Sequence, residues 1–143
     1  METLVTTLTK QEFEILSDFR YQLRRFLRFS EDASREEGVT VLQYLTLLHI
    51  RGTPGRNHAT IGELAERLQA KHHGAVALVQ RCEALGLVRR KAGTQDRRQV
   101  DVYLTRRGDE MVERIALKHR NELKSLQAVF RLDKLVAFND QQS

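Results

Sequence analysis

The stretch TIGELAERLQAKHHGAVALVQRCEALG, residues 60–86, constrains the fold most, because it sets two short apolar stripes either side of a three-residue break. Thr60 and Glu63 have the spacing of a capping box, in which each side chain satisfies the other residue's free backbone amide. A helix therefore starts there, and Ile61, Leu64, Ala65 and Leu68 recur at the steps that build one helical face. After Gln69-Ala70-Lys71 the same pattern returns as Ala75, Leu78, Val79 and Cys82, and Gly86 closes the second helix. Two short helices about a tight turn make a helix-turn-helix.

Directly after it, LVRRK and QVDVYLT read as two strands joined through AGTQDRR, with Val100, Val102 and Leu104 on one face of the second. The whole net charge of +5 sits in this region. Gly86 to Gly108 carries seven basic residues (Arg89, Arg90, Lys91, Arg97, Arg98, Arg106 and Arg107) against two acids, Asp96 and Asp101, and the rest of the chain balances to zero. A localised positive field is the footprint of a polyanion, most often nucleic acid. A solvated basic hairpin is the plain alternative.

The flanks are helical by pattern. Residues 10–29 put Phe13, Leu16, Leu23 and Leu27 near helical spacing with Arg20, Arg24 and Arg28 on another side, and SEDASREEG then reads as a charged connection ending at Gly38. Thr40 can cap TVLQYLTLLHI, which is apolar nearly all round and so predicts a buried central helix, ended by Gly52, Pro54 and Gly55. Thr105 can cap a last long helix with Asp109 and Glu110 in its first turn, where the dipole favours acids. Val112, Ile115, Ala116, His119, Leu123 and Leu126 recur along it, and the apolar residues Leu132, Leu135, Val136 and Phe138 follow.

These elements predict a mainly α fold with a small β-hairpin wing (α+β), in one domain over residues 1–143. A lobe over 38–108 would hold the helix-turn-helix at about 60–85 and the hairpin at about 87–105, with long helices at 10–30 and 106–140 outside it. A chain of 143 residues buries one core. No apolar run spans a bilayer and no signal peptide opens the chain, so a cytoplasmic, nucleoid-associated protein with no membrane partner is expected. The single Cys82 fits a reducing compartment.

The second helix of the pair has two faces. Its apolar stripe leaves His72, His73, Val76 and Gln80 opposite, and a helix of this width fits the DNA major groove, where imidazole and amide groups bond base edges or phosphates. The hairpin that follows would then reach the flanking minor groove, which is narrow, electronegative and attracts arginine. Arg97 is assigned to that groove and Arg98 to phosphate, with Arg90 nearby on the first strand. Asp96 either orients a neighbouring arginine or is simply a turn residue.

Residues 64–108 resemble the winged helix-turn-helix of the MarR family of transcriptional regulators. The wing motif, D-R-R, five residues, L-T, two residues, G, stands in full as Asp96-Arg97-Arg98, Leu104-Thr105 and Gly108. The resemblance implies a sequence-specific regulator of double-stranded DNA, a repressor, acting as a homodimer on palindromic operators. It implies first and last helices that interlock between subunits, and Arg97 inserted in the minor groove. It also implies a small aromatic or anionic effector, for which Arg24, Tyr44, His49 and His119 are the candidate contacts. Where relatives begin the reading helix with Ser and carry Thr-Arg within it, this chain has Lys71 and Val76-Ala77, which moves specificity toward His72, His73, DNA shape and the wing. Apart from the resemblance, the outer helices carry more apolar surface than a lobe of residues 38–108 covers, which argues for two-fold pairing.

Other chemistry finds little support. Cys82 lies on the apolar stripe and reads as a small buried hydrophobe. Adjacent helical residues point about 100° apart, so His72 and His73 do not share a metal. His49 and His119 read by default as satisfied core histidines. No catalytic motif is present and neither an enzyme nor a cofactor or metal is expected. A winged helix that binds only another protein remains as the alternative function, and it predicts binding indifferent to the wing arginines.

Overall fold

In a computed structural model of the chain, residues 7–126 are described. Their elements run α1 (Lys10–Glu36), α2 (Val41–Arg51), β1 (His58–Thr60), α3 (Ile61–Leu68), α4 (His72–Ala84), β2 (Val88–Ala92), β3 (Val100–Leu104) and α5 (Arg106–Leu126). The mainly α class with a small β wing holds. Leu132, Leu135, Val136, Phe138 and the end of the 106–140 helix lie outside the described residues.

Side-chain caps decide where these helices begin. Thr60 Oγ1 accepts from the Glu63 amide while Glu63 Oε1 accepts from the Thr60 amide, and Thr40 with Gln43 forms the same box at α2. Thr9 and Glu12 repeat it at α1. Thr105 Oγ1 accepts from the Gly108 amide at 3.1 Å and donates to the Gly86 carbonyl, so this cap also ties α5 to the end of α4.

Two features depart from the pattern reading. SEDASREE continues α1 to Glu36 instead of leaving it, and the chain turns away only at Gly38, at φ 82°. Its charges have partners: Arg114 Nε donates to Glu37 at 2.8 Å and Lys118 Nζ to Glu36 at 3.0 Å, while Ala33 and Ser34 turn inward and are buried. The second departure is β1. The sheet has three antiparallel strands in the order β1-β3-β2, with Ala59 opposite Val102 and Arg90 opposite Val102 on the other side. Three residues, His-Ala-Thr, are too few to show a period of two.

The chain divides into two compact units, residues 31–118 and residues 1–30 with 119–143. In the first, Leu47, Ile50, Leu64, Val79, Leu87, Val102, Val112 and Ile115 are fully buried and form the core. Gly108 is required there, since a Cβ at that position would stand 2.0 Å from the Leu87 carbonyl oxygen. In the second, His119 is buried, with Nε2 2.8 Å from Ser30 Oγ and its ring edge-on to Phe26 and Phe29. Phe13, Leu16, Tyr21, Leu27 and Leu123 of that unit are exposed.

Candidate nucleic-acid interface

The turn before α4 is set by Gln69, the single described non-glycine residue with positive φ, whose left-handed backbone lets the Ala70 amide bond the Ala65 carbonyl at 2.9 Å. From there α4 presents two surfaces. Ala75, Val79 and Cys82 are wholly buried, while Lys71, His72, His73 and Gln80 are exposed and Val76 is half-buried. Burial pushes the Cys82 thiol up to about 11, so it is an inert core group. At the N-terminus Lys71 is extended (φ −69°, ψ 154°) and gives no side-chain cap. The first-turn amides of α4 therefore keep their donors, and the positive end of the helix dipole, for whatever approaches from solvent.

In the wing, the Gly93 amide bonds the Gln99 carbonyl at 2.9 Å and the Gln99 amide bonds the Asp96 carbonyl at 3.0 Å. A Cβ on Gly93 would lie 2.2 Å from the Asp96 carbonyl oxygen, so the loop closes only around glycine. The Asp96 carboxylate accepts from the Arg98 amide at 3.0 Å, from Nε at 3.1 Å and from Nη2 at 3.2 Å. The Arg98 guanidinium and amide hold the Asp96 carboxyl below its ordinary range. Asp96 is thus both turn residue and orienting group. Arg98 is oriented yet its side chain stays 90% exposed. Arg97 beside it is exposed and has no hydrogen-bond or ion-pair partner among the described residues.

Arg90 is differently placed. Its amide bonds Glu83 Oε2 at 3.1 Å, while its Nε and Nη2 bond Oε1 at 3.1 and 2.9 Å, which fastens β2 to the last turn of α4 and lowers the Glu83 carboxyl. Much of its fork is spent inside the protein. Lys91 Nζ sits 5.0 Å from the Tyr103 ring centroid, in a cation–π contact.

The structure adds a residue that the pattern missed. Strand alternation turns Asp101 away from Val100, Val102 and Leu104, yet it is only 3% exposed. Nothing in the sequence marks it, because the groups covering it come from a loop 94–95 and a strand 58–60 that alternation does not register.

Of the four effector candidates, His49 lines a cavity of about 200 Å³ with Leu48, Thr53, Pro54, Arg56 and Arg67. Burial, then the neighbouring Arg67 charge, lower the His49 pKa. Tyr44, also on α2, is buried, and burial raises its hydroxyl pKa. Arg24 is exposed on α1, and His119 is buried against Ser30. Tyr44 and His49 belong to one unit, Arg24 and His119 to the other.

A helix pair with a free-faced second helix, followed by a basic antiparallel hairpin, defines a winged helix-turn-helix. The sequence profile of the MarR family matches residues 37–99. The HTH-type transcriptional repressor MdtR of Bacillus subtilis (strain 168) is 26% identical over 110 residues, covering 74% of this chain and 69% of MdtR. In fold, the chain is similar to AbsC, a MarR family transcriptional regulator from Streptomyces coelicolor, with a TM-score of 0.71 at 20% identity over 96% of this chain and 93% of that one. It is also similar to the F27L mutant of MepR from S. aureus bound to an oligodeoxyribonucleotide, with a TM-score of 0.63 at 18% identity over 94% of each chain. Residues 37–99 thus match the MarR family of regulators, and nearly the whole chain shares their winged helix-turn-helix fold. Among the described residues no helix is long and apolar enough to cross a membrane.

Proposed function

We propose that the protein is a repressor that binds palindromic double-stranded operators as a homodimer. In this reading α4 enters the major groove through Lys71, His72, His73, Val76 and Gln80, Arg97 enters the minor groove, and Arg98 meets phosphate. Arg90 stands at the edge of the footprint, its Glu83 pairing through Nε and Nη2 leaving Nη1 to meet phosphate. The observation that carries the reading is the division of labour at the wing tip, where Asp96 takes Arg98 and leaves Arg97 exposed and unpaired. An exposed guanidinium without an acid beside it is one that a DNA anion satisfies.

Dimerisation through α1 and α5 is supported by Phe13, Leu16, Tyr21, Leu27, Leu117 and Leu123, large apolar side chains left in water on these two helices. Two-fold pairing would set the reading heads roughly 34–36 Å apart, one turn of DNA. A small aromatic or anionic effector would release the operator by changing that separation without touching DNA. His49, whose cavity lies within one unit, is its proposed contact, and the Arg67 charge beside His49 suits an anion.

Fluorescence anisotropy tests this with a duplex from upstream of the protein's own gene and a shuffled duplex, at two salt concentrations. Wild type should prefer the native duplex and weaken steeply with salt. Arg97→Ala should lose affinity by about tenfold, within the range for one specific arginine contact. Equal weak binding of both duplexes by both proteins would overturn the reading and favour a protein partner.

A further inference from the structure

We propose that Asp101 is the positioning residue of the wing, a buried carboxylate that fixes the loop from which Arg97 projects; the inference rests on the DNA-reading role above. By register Asp101 lies between Thr60 of β1 and Lys91 of β2, on the face of the sheet opposite Val102. A side chain there would be expected in water. Its carboxylate is instead shut in, with its side chain 4% exposed. Burying a carboxylate is costly unless hydrogen bonds replace its water. The donors that replace it come from the wing loop, and β1 adds an imidazole close by. Thr94 gives its amide at 3.2 Å and its hydroxyl at 3.4 Å, and His58 Nε2 stands at 3.7 Å.

The placement of those donors is what matters. Thr94 follows Gly93, where the loop leaves the ladder, and the returning arm is closed by the Gly93–Gln99 and Gln99–Asp96 backbone bonds. Asp101 therefore supplies the second side of the clamp. The charges around it are otherwise engaged: Arg56 is held by both oxygens of Glu63, and Lys91 lies over the Tyr103 ring. Arg56, His58, Thr60, Glu63, Thr94, Gln95, Gln99 and Asp101 line one polar cleft of about 200 Å³. If Thr94 let go, the carboxylate would draw water from this cleft and the outgoing arm would swing. Arg97 would then have to be ordered on DNA at an added entropic cost.

The experiment compares wild type, Asp101→Asn, Asp101→Ala, Arg97→Ala and the Asp101→Ala/Arg97→Ala double variant, reading operator affinity by anisotropy and amide exchange without DNA. Asn keeps an acceptor for Thr94 and serves as the conservative rescue. Expected losses of affinity are about tenfold for Ala and about threefold for Asn, the size of a preorganisation effect. A positioning residue acts through what it positions, so in the Arg97→Ala background Asp101→Ala should add less than about twofold. Thr94 amide exchange should speed up in Asp101→Ala while the Val79 amide keeps its protection. Losses that add fully with Arg97→Ala, or unchanged Thr94 protection, overturn the proposal. Wild type that binds no duplex while Thr94 protection still falls overturns the DNA-reading role and leaves the anchoring in place.

Discussion

α3 and α4 are held by apolar side chains that have left water altogether, with Leu64, Ala75, Val79 and Cys82 at 0% exposure, whereas the wing loop is held by two carboxylates and a glycine. The first arrangement is non-directional and stabilises in proportion to area. The second is directional: each bond from Asp96 or Asp101 fixes the angle of one short loop and buries little. The two reading elements therefore answer to different perturbations. Damage to the helix pair should appear as lost stability, and damage to the wing as lost DNA affinity in a protein that still folds.

The largest expected effect breaks the joint between the two regions. Gly108→Ala forces a Cβ to within 2.0 Å of the Leu87 carbonyl oxygen, where backbone must move, and should destabilise the fold by about 3 kcal/mol or more in urea denaturation. A wild-type midpoint would show that the start of α5 can shift freely against β2. Leu64→Ala, at a wholly buried position, should cost roughly 2–5 kcal/mol through lost transfer energy and the cavity left behind. The same urea titration reads it.

Smaller effects separate capping from packing. Thr60→Ala should remove about 1 kcal/mol by uncapping α3. Glu63 adds a pH dependence whose sign is fixed. The Arg56 guanidinium and then the Thr60 amide and hydroxyl lower its carboxyl from 4.5 to about 2. A depressed folded-state pKa gives stability that is fully present above about 4.5 and is lost as pH falls toward about 2. With the Glu63 side chain 42% exposed, solvent screening reduces this to about 1 kcal/mol. Midpoints measured between pH 6 and pH 2 should fall more steeply for wild type than for Glu63→Gln. Parallel curves would show that the pair contributes nothing.

The smallest stability effect sharpens the contrast. Asp96→Ala leaves the core untouched and should keep the unfolding midpoint, while freeing Arg98 and weakening operator binding about threefold. A lowered midpoint would mean that the wing is part of the cooperative core after all.

Much of this was legible in the chain itself. A capping threonine at α2, one capping box at α3, apolar steps and Gly86 located α2, α3, α4 and the hairpin, because each signal needs only neighbours within a few residues. The exposed face of α4 and the basic wing tip were readable for the same reason. The pairing of Asp96 with Arg98 was half readable, a two-residue contact whose direction the sequence left open. Other features depended on residues far apart in the chain. β1 exists because β3 offers His58–Thr60 a ladder. Arg90 is bonded to Glu83 only because β2 packs beside α4.

The local order of charges and apolar side chains determined which segments become helices and strands and which of their faces stay polar, since helix and strand periods are properties of the backbone alone. Tertiary structure decided which polar groups lose their water. Asp101 sits on the polar side of its strand and is buried all the same, because Thr94 and His58 are brought over it by a turn and a strand that pattern cannot see.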